Sequence, residues 1–284
     1  MAEYTEHQHR TSDGLALYYR EYGADHARTT PLLCLTGLSR NSKDFHALAG
    51  RLAAKRRVLC LDYRGCGRSD YDPDYMNYVI EVDCRDVIGL LDALGIRRAI
   101  MIGTSRGGLV TMSLAVVRPD LVAAAVLNDV GPEVKDGGRA KVGRYWDLDY
   151  AYPGWADATA TYSTYMRRVA PDLTDRQWQE RARMTFVEAP DGRVHFDFDP
   201  NMAKAYRERR SSGHRWNEYE ALARKPLLVL RGATSGVLAV ETVARMKQMK
   251  PNLVTETVPN RGHTPFLDEP VAVAAIDTFL SGAE

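Results

Sequence analysis

The chain has 284 residues, 45% of them hydrophobic, enough for one large domain or one domain carrying a substantial insertion. With 38 Lys plus Arg against 37 Asp plus Glu, the net charge of +1 sets up no single-sign field and argues against a nucleic-acid partner. The polar start MAEYTEHQHR lacks the apolar stretch of a signal peptide, no run reaches the roughly 18 apolar residues of a membrane span, and Cys34, Cys60, Cys66 and Cys84 form no C-x-x-C pair, so a cytoplasmic protein with reduced, buried cysteines is expected.

LALYYREYG (Leu15–Gly23) predicts a strand that stops at a glycine, and PLLCLTG (Pro31–Gly37) a buried strand feeding a loop. DFHALAGRLAAK has helical spacing, and RVLCLD (Arg57–Asp62) is a further short apolar strand, followed by the loop YRGCGRSDYD. In Tyr78–Gly95, Val79, Val82, Val87, Leu90, Leu91 and Leu94 share one helical face, and Gly95 ends the helix. RAIMIG reads as a strand, SRGGLVTMSLAVVRP as a helix ended by Pro119, and LVAAAVLND as a strand again. Short, continuously apolar strands alternating with helices imply an α/β fold with a doubly wound, mostly parallel sheet covered on both faces. Ligands of such sheets bind beyond the carboxyl ends of the strands.

The rhythm breaks between about Val134 and Trp216. This segment holds all four tryptophans (Trp146, Trp155, Trp178, Trp216) and 13 of the chain's 25 aromatic residues. It predicts a mostly helical insertion, residues 134–216, folded over the carboxyl edge of a core made of residues 1–133 and 217–284. Most of these aromatics are expected to form the insertion's own core, and about a third to face a pocket beneath it. The alternation resumes at PLLVLRG (Pro226–Gly232), followed by a helix (Val240–Met249), a strand (Leu253–Pro259) and a last helix, PVAVAAIDTFL.

MIGTSRGGL contains a G-x-S-x-G pattern, Gly103 to Gly107, centred on Ser105. Three fixed residues at about 7% each match by chance in roughly one chain in ten of this length, so the context has to decide. A strand (Ile100–Ile102) precedes Ser105 and a helix follows it, which is the setting of a nucleophile held on a sharp turn. The flanking glycines keep bulk away from that turn. The alternative is that Ser105 merely caps the helix. At a helix N-terminus the free Arg106 N–H can stabilise an oxyanion. A second donor is expected from the loop after Pro31–Leu35, where Gly37 turns the backbone and Leu38 N–H is the candidate. Two other glycine readings fail: GCGRSD lacks the third glycine of a dinucleotide fingerprint, and GTSRGG has no lysine for a phosphate loop. The base should follow the last strand, and VPNRGHTPFLDEP puts His263 there.

Taken together, LTGLSRNSKDF, LDYRGCGRSD, GTSRGG, LRGATSGVL and NRGHTPFLDEP resemble the α/β-hydrolase fold family, over essentially the whole chain. The resemblance implies an eight-stranded sheet, a helical cap between strands six and seven, Ser105 as nucleophile and His263 as general base. It makes Arg64, Gly65 and Gly67 structural. Two positions depart. Thr36-Gly37 stands where the family often has His-Gly. The loop after strand seven, often R-G-x-x-S-D with the aspartate as triad acid, reads Arg231 to Gly236 and ends in glycine.

Asp129, which ends the expected strand six, is the substitute acid, because some relatives carry the acid there. Asp268 and Glu269 read instead as the cap of the last helix, and Glu241 as a first-turn carboxylate. The resulting expectation is a serine hydrolase of an ester, lactone or related acyl compound, small to medium and partly apolar. It would use no metal or organic cofactor and act as a monomer or homodimer. A carbon–carbon hydrolase of a ring-cleavage diketone and an acid-deficient, ligand-binding member of the fold remain as alternatives. Epoxide hydrolases and haloalkane dehalogenases are disfavoured, since they need a carboxylate where Ser105 stands.

Overall fold

The apolar runs form one twisted sheet in the computed structural model, which describes residues 3–26, 29–135, 137–208 and 213–283. In chain order the strands are β1 (Thr5–Arg10), β2 (Ala16–Tyr22), β3 (Leu32–Leu35), β4 (Val58–Leu61), β5 (Ala99–Thr104), β6 (Val122–Asn128), β7 (Ala151–Tyr152), β8 (Phe186–Glu188), β9 (Val194–Phe196), β10 (Leu227–Gly232) and β11 (Val254–Val258). The helices are α1 (His46–Leu52), α2 (Ile80–Ala93), α3 (Arg106–Val117), α4 (Gly138–Gly143), α5 (Trp155–Met166), α6 (Asp175–Thr185), α7 (Asn201–Glu208), α8 (Trp216–Leu222), α9 (Val240–Met249) and α10 (Pro270–Ser281).

Among the described residues the main sheet has eight strands in the order β1-β2-β4-β3-β5-β6-β10-β11. From β4 to β11 all neighbours are parallel, while β2 runs antiparallel to both β1 and β4. The strand order turns back at β3, with β4 on one side and β5 on the other. The loops leaving β3 and β5 therefore diverge and open a crevice at the carboxyl edge.

The central strands are apolar on both faces because both faces are covered. Leu33 and Leu35 of β3 and Met101 of β5 meet α2, α3 and α8 on one side. Leu32, Cys34, Ile100 and Ile102 meet α1 and α10 on the other. All four cysteines are buried and unpaired. The polar strand β1, TEHQHR, carries no apolar alternation and was not expected from the sequence. It lies at the sheet edge, where charged side chains suit an unpaired flank.

Between β6 and β10 the chain leaves the sheet. Alongside its helices the insertion holds a three-stranded antiparallel sheet, β7-β9-β8, which the expectation of a mostly helical segment did not include. Its strands are two or three residues long, too short to show periodicity. Trp178, Phe186, Phe196 and Phe198 form the insertion's core, with the Phe186 and Phe196 rings 4.5 Å apart. Trp216 opens α8 and packs instead with the sheet's own helical layer. No helix among the described residues is long and apolar enough to cross a membrane.

Candidate active site

Ser105 sits on the turn between β5 and α3 with φ 49° and ψ −110°, a conformation that side chains avoid. Backbone bonds over-determine it: Ser105 N–H donates to Asn128 O at 3.1 Å, and Gly107 N–H to Thr36 O at 2.9 Å. The flanking glycines are steric necessities. A Cβ on Gly103 would come within 2.6 Å of Gly107 backbone, and one on Gly107 within 2.1 Å of Leu35 O. Ser105 does occupy the N-cap position of α3, yet its side chain makes no capping bond. Its Oγ lies 2.9 Å from His263 Nε2 instead.

His263 Nδ1 lies 2.7 Å from Asp129 Oδ2. Asp129 is fully buried at the end of β6, with φ 53°. Its Oδ1 accepts Gly232 N–H at 2.9 Å, and its Oδ2 accepts the Ser235 hydroxyl at 2.7 Å. Ser235 Oγ in turn accepts Val237 N–H at 3.1 Å and Leu238 N–H at 3.0 Å, which aims its proton at the carboxylate. These donors take the place of water around a buried charge. With Asp129 accepting at Nδ1, Nε2 is free to accept the Ser105 proton, the geometry of an activated nucleophile.

Three loops at the carboxyl edge supply this chain of contacts. A fourth residue ties them together: Asn128 Nδ2 donates to Thr104 Oγ1 at 3.1 Å and to Pro265 O at 2.9 Å, joining β5, β6 and the His263 loop. Sequence reasoning missed both Asn128 and Ser235. Each adjoins a residue that it did single out, Asp129 and Gly236.

The remaining carboxylates are engaged elsewhere. Glu269 takes the N-cap position of α10, but its side chain makes no cap bond there; it accepts from Arg261 Nε at 2.7 Å and from Phe266 N–H at 2.9 Å. Glu269 thus stands at the expected cap position, without a side-chain capping bond. Asp268 pairs with Arg181. Glu241 lies in the first turn of α9.

Arg106 is the first residue of α3, so its N–H has no acceptor within the helix. Its guanidinium turns away, paired with buried Asp83 at 2.5 Å. Among the described residues Leu38 N–H likewise has no protein acceptor. Gly37 packs beside Ser105, where an added Cβ would lie 3.8 Å from Ser105 Cβ. The left-handed residue of this loop is Ser39, with φ 64°, and not Gly37, so the turn does not depend on glycine at 37. Arg64 is fully buried among Asp72 at 2.5 Å, Asp86 at 2.7 Å and Asp13 at 3.1 Å, a structural hub.

Residues 30–270 match the profile of the alpha/beta hydrolase fold. The chain belongs to the α/β-hydrolase family. It is 32% identical over 277 residues to the 3-hydroxybutyrate-oligomer hydrolase of Cupriavidus necator, covering 93% of this chain and 92% of that one. The crystal structure of an alpha/beta hydrolase from Novosphingobium aromaticivorans superposes with a TM-score of 0.93 at 42% identity, over 99% of both chains. The 2-(acetamidomethylene)succinate hydrolase of Mesorhizobium japonicum is 27% identical, over 88% of this chain and 87% of its own.

This α/β hydrolase is an enzyme of the hydrolase class. A cavity of about 440 Å³ opens onto Ser105 and His263 between the sheet edge and the insertion. Four of the 13 aromatics in residues 134–216 line it: Tyr145, Trp146, Tyr162 and Tyr165. Gly236 lines it too, so the position where many α/β hydrolases carry the acid offers only backbone here.

Proposed function

We propose that the enzyme hydrolyses carboxylic esters through an acyl-enzyme on Ser105. The observation that carries this reading is the unbroken chain Ser105 Oγ, His263, Asp129, with contacts of 2.9 and 2.7 Å. Ser105 Oγ attacks the ester carbonyl and passes its proton to His263 Nε2. Leu38 and Arg106 N–H groups hold the oxyanion. The imidazolium, steadied by Asp129, protonates the departing alkoxide. Water then attacks the acyl-enzyme, His263 takes its proton, and the acid leaves with Ser105 restored.

The insertion, residues 134–216, acts as a cap that closes the acyl site with aromatic side chains. A small to medium, partly apolar ester suits a cavity of about 440 Å³. The relative named for 3-hydroxybutyrate oligomers, which are chains of ester links, favours this reading over cleavage of a carbon–carbon bond. The filled hydrogen-bonding shell of Asp129 favours a working enzyme over an acid-deficient binding protein.

Reaction with 4-nitrophenyl butyrate should release a burst of one nitrophenolate per chain. A fluorophosphonate should label Ser105 stoichiometrically, and Ser105→Ala should abolish both. An unlabelled Ser105 would overturn the reading.

A further inference from the structure

We infer that Arg144 and Arg168 form a carboxylate-binding site at the mouth of the Ser105 cavity, so that the ester this enzyme cleaves carries a free anionic group. The inference builds on the ester-hydrolase reading and adds the substrate's charge and the residues that recognise it.

The charge balance of the cavity wall is uneven. Four arginines line it, Arg40, Arg144, Arg168 and Arg181, against one carboxylate, Asp44. Two of the four are spent within the protein. Arg40 Nε donates to Asp44 at 2.8 Å and its Nη1 to Thr185 Oγ1 at 2.7 Å. Arg181 pairs with Asp268 and lies 4.0 Å over the Phe266 ring. Arg144 and Arg168 are exposed, and among the described residues neither has a carboxylate within ion-pair distance. Asp147, on the same turn as Arg144, is engaged by Arg207 at 3.4 Å. In a chain with a net charge of +1, two rim guanidiniums with no ion-pair carboxylate among the described residues are a local arrangement.

They also converge. Arg168 lies 3.9 Å over the centre of the Tyr165 ring. Burial raises the Tyr165 hydroxyl, Arg168 and more weakly Arg144 pull it back, and Asp147 adds a push upward. A molecule with its scissile carbonyl at Ser105 and a carboxylate at the rim meets both the nucleophile and the two arginines. An ester of a hydroxy or dicarboxylic acid with one free carboxylate has that form, and a purely aliphatic ester does not.

The test compares 4-nitrophenyl hemiglutarate, which carries a carboxylate, with uncharged 4-nitrophenyl pentanoate. The wild-type enzyme should prefer the anionic ester. In the double variant Arg144→Ala, Arg168→Ala the ratio of kcat/KM, anionic over neutral, should fall at least tenfold. Raising the salt concentration should lower that ratio in the unmodified enzyme. An unchanged ratio in the variant overturns the inference. If the unmodified enzyme cleaves neither ester, the ester-hydrolase reading fails, and glutarate binding followed by tryptophan fluorescence decides the arginine site alone. Saturable binding weakened at least tenfold in the double variant supports it; equal binding in both proteins, or none in either, overturns it.

Discussion

In the proposed triad, Asp129 takes the role that many α/β hydrolases give to a carboxylate at the position of Gly236. The carboxylate stands at the end of β6, while the Ser235 hydroxyl and the Gly232 amide reach across from the loop after β10 to hold it. Asp129→Asn would keep the shape but lose the acceptor that holds His263 Nδ1–H and stabilises the imidazolium. By comparison with serine proteases whose acid is disabled, kcat should drop by roughly 10⁴ with KM little changed. Ser235→Ala removes one bond to a charged group, about 1.5 kcal/mol and hence roughly tenfold in kcat. Full activity in Asp129→Asn, together with a large gain in Gly236→Asp, would show that the enzyme works without an acid. The placement of Ser105 and His263 was legible in the sequence because a strand–turn–helix and a last-strand loop are local patterns. Asp129 was legible only through family resemblance, and Ser235 not at all, because its partner lies 106 residues away in the chain.

At the level of elements, the position of the serine depends on how closely α3 approaches β3. Gly107 makes that approach possible, with an added Cβ falling 2.1 Å from Leu35 O, a backbone atom in the middle of the sheet. In Gly107→Ala the helix must retreat and stretch the 2.9 Å bond from Gly107 N–H to Thr36 O. A loss of at least about 1–3 kcal/mol is expected from such overpacking, read as a lower midpoint in urea. Gly37→Ala is the control for stability: its Cβ would meet nothing closer than Arg40 Cγ at 3.5 Å, so its midpoint should stay near wild type. Equal midpoints for the two variants would mean that the elbow is looser than this packing implies. The same contrast explains what the sequence revealed of the fold. Strands β3 to β6 and β10 are buried on both faces and announce themselves as apolar runs. Edge strand β1 and the short strands β7 to β9 owe their existence to partners, which a local pattern does not record.

Across the whole molecule, sheet and insertion are joined partly through polar groups, and a buried titratable one stands beside the joint. Asp62 closes β4, is nearly fully buried, and accepts Ser42 N–H at 2.5 Å and Arg68 N–H at 3.0 Å. Next to it, Asn41 Nδ2 donates to Asp197 Oδ2 of the insertion at 3.0 Å, Lys43 pairs with the same oxygen at 2.8 Å, and Gly67 N–H donates to Asp197 O at 2.9 Å. Burial pushes the Asp62 carboxyl up to about 6, against the pull of the two backbone donors and with a further push from Asp197. A carboxyl raised on folding binds its proton more tightly in the native chain than in the unfolded one, where it titrates near 3.9. Between about pH 4 and 6 the folded state therefore holds more protons, and this group's contribution to stability falls as pH rises, by about 3 kcal/mol for a shift of roughly two units. Asp62→Asn does not titrate, so subtracting its urea-unfolding free energy from that of the wild type isolates the term. The amide introduced by this substitution also turns a donor toward one of the two backbone N–H groups, so the absolute difference mixes charge with a lost bond, and the slope is the informative quantity. That difference should decline from pH 4 to pH 6 and then level off. A flat difference across the window would mean that the backbone donors solvate this carboxylate as well as water does.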